Sequence, residues 1–309
     1  MTTAIALWVL GAAATAAYVG CAWLAVSQSA SLWTFVAAAP LVAASLPLAL
    51  ATGYSALAWA ARAPRPVEHR IGVAAGVRLI VNEAIAIAVS WPRMALYRWL
   101  VRDPEPAPAR VPVILLHGVL CNAGVWRGLR AHLSARGIAP VYTLSFSPPF
   151  ASVETFAEQL AARVDEVLAT TGACRVALVG HSMGGLVARA YLRRYGATKI
   201  AFVMTLGTPH HGSVHAWIFF GACLTQMRPG NRWLAELNRS EGEPLPVRFV
   251  SLWSWHDSMV APQTSARLAG TVNIELEGIG HNALLGDPRV WACVARELAR
   301  PPAASAPPS

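Results

Sequence analysis

Two hydrophobic rhythms divide the chain. Ala4 to Val26 and Ser31 to Ala61 carry no charged residue. Each is long enough to cross a hydrocarbon core, which needs roughly 20 apolar residues. They predict transmembrane helices near 4–26 and 32–61. Pro40 and Pro47 would kink the second, which packing inside a membrane tolerates. A cleavable leader fits the first stretch poorly, since Met1-Thr2-Thr3 has no positive charge and the apolar run is too long. Ile71 to Trp91 is apolar but broken by Arg78, Asn82 and Glu83. It reads as a helix lying on the membrane or as a third, costlier crossing. Asp103 to Arg110 alternates prolines with other residues, which predicts a stiff, extended linker. The linker separates a membrane-associated region, 1–102, from a domain at 111–300.

Beyond the linker the rhythm becomes short and regular. Val111–His117, Val141–Phe146, Arg175–Val179, Ile200–Leu206, Val247–Trp253 and Val272–Leu276 are apolar runs of strand length. Between them, Gly124–Arg136, Val153–Ala169, Gly184–Tyr195 and Pro288–Ala299 have helical spacing. Strands alternating with helices predict an α/β domain with a mostly parallel sheet covered on both faces. Between His211 and Pro246 the alternation fails. Trp217, Ile218, Phe219, Phe220, Leu224, Met227, Trp233, Leu234 and Leu237 there form an apolar, helical insertion near 212–245. The Pro/Ala/Ser-rich tail, 301–309, is expected to be disordered.

Composition agrees with the membrane reading: 55% of residues are hydrophobic and only 13% charged, too apolar for an ordinary soluble domain. The net charge of +9 is carried by arginine. Arg62, Arg65, Arg70, Arg78, Arg93, Arg98 and Arg102 follow the second apolar stretch. No nucleic-acid motif accompanies them, so anionic headgroups and a topology signal account for them more simply than nucleic acid. The five cysteines have no disulfide or zinc spacing, although a disulfide among the four in the domain stays open.

The chemistry is concentrated in Arg175-Val-Ala-Leu-Val-Gly-His-Ser-Met-Gly-Gly185. Here G-x-S-x-G (Gly180, Ser182, Gly184) joins a strand to a helix, the context that lifts a serine hydroxyl out of a strained turn. A hydroxyl needs a base, and the base needs an orienting carboxylate. With the order serine, acid, histidine, the candidates are Asp257 and His281, each at the end of a strand. His210, His211, His215 and His256 are rival histidines. Asp287 follows His281 and breaks the order, and Glu277 lies only four residues before it. An oxyanion needs two backbone donors: Met183 after the nucleophile, and Val119 in the loop opened by Gly118. His117 is expected to brace that loop.

Together, Leu116-His-Gly, Gly180-His-Ser-Met-Gly-Gly185, Leu206-Gly-Thr-Pro-His-His-Gly212, His256-Asp257 and Gly280-His281 resemble the bacterial triacylglycerol lipase and esterase group of α/β-hydrolases. The resemblance covers roughly 111–300 and leaves the membrane stretches outside. It implies an α/β-hydrolase fold, Ser182 as nucleophile, Asp257 and His281 as its partners, and Val119 with Met183 as the oxyanion hole. Some members have Gln after the nucleophile, where Met183 keeps only the backbone donor. Some bind calcium, but no acidic pair near the His281 loop matches such a site, so no metal or other cofactor is expected. The expected activity is hydrolysis of carboxylic esters, lipid acyl esters above all, through an acyl-serine intermediate. The same parts would serve an acyltransferase or thioesterase, and an inactive membrane scaffold is the reading from another class. Trp217, Phe219, Phe220 and Leu224 are expected to form a lid and acyl pocket over the strand ends. The expected partners are the ester substrate and membrane lipids, with no protein partner indicated. The arginines place the hydrolase domain on the cytoplasmic side of a bacterial inner membrane if 71–91 does not cross it, and on the periplasmic side if it does.

Overall fold

The first two apolar stretches form α1 (Thr3–Ser27) and α2 (Leu32–Ala60), with Pro40 and Pro47 inside the second. Near their turn Tyr18 donates its hydroxyl hydrogen to the Phe35 carbonyl at 2.6 Å. The interrupted stretch is also a helix, α3 (Val73–Ala95), followed by the single turn α4 (Tyr97–Leu100). α1, α2 and α3 are each long and apolar enough to cross a membrane. The structure, a computed structural model, describes residues 2–240 and 245–300, so the predicted disordered tail and residues 241–244 of the insertion lie outside the described residues.

α3 is two-faced. Val73, Val77, Val81, Ile85 and Val89, one helical turn apart, are exposed, while Leu79 and Glu83 are buried. At its C-terminal end α3 receives the indole N–H of Trp8 on the Ala95 carbonyl. Facing it, α2 shares with the first half of α3 a cavity of about 410 Å³ lined by Thr52, Trp59, Val73, Gly76 and Ile80. α3 thus bridges the two feet of the α1–α2 hairpin.

The second part is an α/β sandwich. Among the described residues six strands, β1 (Val113–Leu116), β2 (Val141–Leu144), β3 (Val176–His181), β4 (Ile200–Leu206), β5 (Arg248–Ser254) and β6 (Val272–Leu276), form one sheet in the order β2-β1-β3-β4-β5-β6. Every pairing is parallel. Successive side chains of β1 go to opposite faces, as strand geometry requires. Ile114 and Leu116 join Phe156, Leu160 and Val187 from α6 (Val153–Thr171) and α7 (Met183–Tyr195). Val113 and Leu115 join Leu129, Val290 and Val294 from α5 (Arg127–Ser134) and α10 (Pro288–Ala299). Both faces are therefore apolar, which is why β1 and β3 read as continuous hydrophobic runs.

The insertion is helical only in pieces: a 3-10 turn at Val214–Trp217, α8 (Ala222–Gln226) and α9 (Arg232–Ser240). Leu234 and Leu237 of α9 belong to the main core. The proline-alternating linker is docked rather than free. Asp103 pairs with Arg163 of α6 at 2.5 Å, and the Ala109 N–H reaches the Thr171 carbonyl at 3.3 Å.

Candidate active site

β3 does not stop at Val179 as its apolar run predicted but continues to His181, paired with Leu206 of β4. The next residue, Ser182, sits at φ 54° and ψ −124°. That left-handed backbone is strained for a residue with a Cβ and is held by its surroundings. Its N–H donates to the Leu206 carbonyl at 2.9 Å, and its carbonyl accepts from the Thr208 hydroxyl at 2.8 Å. Gly184 has no room for a side chain: a Cβ there would collide with the Leu116 carbonyl oxygen. The G-x-S-x-G spacing thus lets α7 start directly against the end of β1, with its N-terminus at Ser182. Met183 is the first residue of α7, so its N–H has no acceptor within the helix.

Val119 follows Gly118, where an added Cβ would stand 2.9 Å from the Ser182 Cβ and 3.5 Å from its Oγ. His117 fixes this loop. Its Nδ1–H donates to the Gly118 carbonyl at 2.7 Å, and its Nε2 accepts from the Phe146 N–H at 3.0 Å. Burial keeps the ring neutral, with its pKa pushed down to about 4.

Asp257 and His281 lie in the loops after β5 and β6. His281 Nδ1 is 2.9 Å from Asp257 Oδ2, and both side chains are almost fully buried. Asp257 Oδ1 accepts from the Met259 and Val260 N–H groups at 2.8 and 2.7 Å, which fixes the carboxylate. Burial pulls the His281 imidazole toward neutrality, but the Asp257 charge and hydrogen bond, with the Glu83 charge, outweigh it and its pKa is raised. The His181 ring lies 4.6 Å from that of His281, and its Nε2–H donates to the His281 carbonyl at 3.1 Å. Burial and the adjacent His281 hold His181 well below its ordinary pKa.

Ser182 and His281 line one small cavity of about 40 Å³, together with Val119, His215, Phe219, Leu224 and Met227. Among the described residues no hydrogen bond joins Ser182 to His281. Of the four residues expected to form the acyl pocket, only Phe219 and Leu224 reach this cavity. Trp217 and Phe220 are 60% and 88% exposed and lie outside its lining. The Arg228 guanidinium covers the outer face of Trp217 at 4.5 Å.

The rivals are occupied elsewhere. His210 is buried against Arg189 and Thr205, and the His215 Nε2–H donates to the Tyr54 carbonyl of α2. His211 meets Asn238, and His256 Nδ1 accepts from the Gly278 N–H. Glu277 faces His69 at 3.4 Å, and Asp287 caps α10. All five cysteines are free.

One residue at the site was not singled out by the sequence. Glu83 of α3 is fully buried. Its Oε1 accepts from the Ser258 hydroxyl at 2.6 Å and from the Asn282 N–H and side-chain amide at 2.9 and 2.8 Å. Its Oε2 accepts from the Ala283 N–H at 3.0 Å. The only signal was a lone carboxylate interrupting an apolar helix, which in such a setting marks a functional position.

A model of the alpha/beta hydrolase fold matches residues 111–247, which include β1, Ser182 and the start of α7. The domain has the alpha/beta hydrolase fold. A triacylglycerol lipase of Pseudarthrobacter phenanthrenivorans is 41% identical over 119 residues, 36% of this chain and 36% of that protein. One from Burkholderia plantarii is also 41% identical over 119 residues, 36% of this chain and 32% of that protein. The chain therefore spans about a third of the length of these curated relatives. Among solved structures, Aspergillus fumigatus lipase B has a TM-score of 0.58 at 21% identity, over 67% of this chain and 57% of that one. The mature form of Bacillus licheniformis lipase BlEst2 has a TM-score of 0.55 at 18% identity, over 64% and 96%. The hydrolase domain shares its fold with both. Asp257 and His281 lie beyond the matched segment, and so do all three N-terminal helices.

Proposed function

We propose that the protein is a membrane-anchored serine hydrolase of carboxylic esters, acting on lipid acyl esters. The observation that carries this reading is the buried Asp257–His281 pair opening on the same cavity as Ser182 in its strained turn. In this mechanism Asp257 accepts the Nδ1–H of His281, which leaves Nε2 free to take the Ser182 proton. Ser182 attacks the ester carbonyl, and the Val119 and Met183 N–H groups receive the oxyanion. The alcohol leaves with the proton held on His281. Water then attacks the acyl-serine through the same base, and Ser182 regains its proton. Catalytic hydrogen bonds often tighten only when substrate is bound, so the missing Ser182–His281 bond is compatible with this sequence of steps.

A cavity of about 40 Å³ is far below the roughly 300 Å³ of typical ligand sites. An acyl chain therefore enters after the segment bearing Phe219, Leu224 and Met227 shifts outward. The lipase names of the sequence relatives support a lipid ester as substrate. α1 and α2 are read as a hairpin through the inner membrane, with α3 lying along its cytoplasmic surface between the hairpin and the domain. Exposed valines on one face of α3 and a buried carboxylate on the other suit that position better than a crossing.

The test is a chain-length series of nitrophenyl esters with detergent-solubilised full-length protein. Hydrolysis is expected for wild type and its abolition for Ser182→Ala. Phe219→Ala should penalise long chains more than acetate, since each methylene contact is worth about 0.8 kcal/mol. No hydrolysis of any ester by folded wild type would overturn the reading.

A further inference from the structure

Glu83 is remote in sequence from everything it touches. All four of its partners are donors: the Ser258 hydroxyl, the Asn282 N–H, the Asn282 side-chain amide and the Ala283 N–H. Such a set calls for an acceptor-only group, which among side chains means a carboxylate. Ser258 follows Asp257 directly, and Asn282 and Ala283 follow His281. Ser258 Oγ also accepts the His281 N–H at 3.1 Å. A single side chain from α3 therefore holds the loop of the acid and the loop of the base together. The fit is close enough to restrict its neighbours, because a Cβ at Gly280 would collide with Glu83 Oε2.

We infer that Glu83 is a positioning residue for the proposed hydrolysis: through Ser258, Asn282 and Ala283 it sets the register of His281 against Asp257 and Ser182, so the N-terminal helices are part of the catalytic apparatus as well as its anchor. The inference rests on the serine-hydrolase reading above. It gives physical content to the docking of α3, whose C-terminal half also lends the Met94 carbonyl to the Asn122 side-chain amide at 2.8 Å. Any motion of α3 relative to the domain acts directly on the two loops.

The effect has a signature in pH as well as in rate. The charged and titratable groups facing His281 are Asp257, Glu83, His181 and His215. Asp257 and Glu83 are the two that favour its protonated form. Glu83→Gln removes one of these charges and sets an amide N–H₂ against the Ala283 N–H or against the donors on Oε1. The acid limb of kcat/KM should then move to lower pH.

The experiment compares wild type, Glu83→Gln, Glu83→Ala and Ser258→Ala as full-length, detergent-solubilised proteins on a short-chain nitrophenyl ester, with thermal melting as the folding control. The expected result for the Glu83 variants is a kcat loss of roughly 10²-fold, the scale of a misplaced catalytic group, with KM within about twofold and a lower acid limb for Glu83→Gln. Ser258→Ala breaks one link and leaves the carboxylate in place, so it should lower kcat less and leave the acid limb unmoved. It also serves where a Glu83 variant fails to fold, and unchanged kcat in it would then overturn the inference. Folded Glu83 variants with wild-type kcat and pH profile would overturn it as well. An inactive wild type would instead remove the underlying hydrolase reading, so the two failures are distinct.

Discussion

Ser182 is one of three described residues other than glycine with a positive φ, and the departure was legible from glycines placed two residues either side. Their spacing reports a contact, since the helix after the serine must touch the strand before it. His281 and Asp257 were legible because each closes an apolar strand run, and strand C-termini converge on one edge of a parallel sheet. Glu83 was not legible. Its meaning lies in partners about 200 positions away, and locally it is only a polar break in an apolar helix. Two outcomes belong to this scale. Asp257→Asn should cut kcat by as much as ~10⁴-fold by favouring the wrong imidazole tautomer, with melting temperature as the control. Near-normal activity in that variant would exclude Asp257 as the acid. The pKa of His281 is raised, and a general base must be neutral to work. The kcat/KM of wild type should therefore fall on acidification through a midpoint above the ordinary histidine value of about 6.5, and a midpoint below it would contradict the Asp257–His281 coupling.

Strands and helices followed the apolar pattern closely where both sheet faces are covered, as in β4. They departed from it where function takes over. β3 runs past its apolar residues to the buried His181 because pairing with β4, not apolar character, sets its end. In the insertion, composition indicated an apolar segment but not its facing. The 3-10 turn ends at Trp217 and the residues after it up to α8 form no regular element, so no amphipathic period distinguishes Phe219 from the exposed Trp217 and Phe220. The docking of α3 was equally hidden, because its lipid-like composition masks a protein-facing side. Gly124 provides a direct check on that docking. A Cβ there would run into the Arg93 carbonyl of α3, so Gly124→Ala should destabilise the protein by about 1–3 kcal/mol, the usual range for overpacking. Because α3 also carries Glu83, the same variant should lose activity. Unchanged stability and activity would mean that α3 rests on the domain without shaping it.

For the whole molecule, the boundary in composition at 103–110 is not a boundary in packing. α2 meets the insertion through Tyr54, which takes the His215 Nε2–H and lies against Phe219 at a ring distance of 6.5 Å. α3 meets the catalytic loops through Glu83. In the proposed reading, these contacts would hold the strand ends at a fixed height above the bilayer, as a lipid substrate requires. In the proposed topology, with α3 on the membrane surface, positive-inside bias of Arg62, Arg65 and Arg70 after α2 keeps the domain on the cytoplasmic side. A C-terminal fluorescent-protein fusion is expected to fluoresce, and activity of a periplasmic phosphatase fused at the same point would reverse the topology. The account depends above all on an activated serine at the end of β3. Its most direct measurement is intact mass after a fluorophosphonate probe is added to the folded, detergent-solubilised full-length protein. The account predicts one phosphonyl adduct, mapped to Ser182 and absent in Ser182→Ala. A folded wild type that takes no adduct, or an adduct that persists in Ser182→Ala, would contradict it.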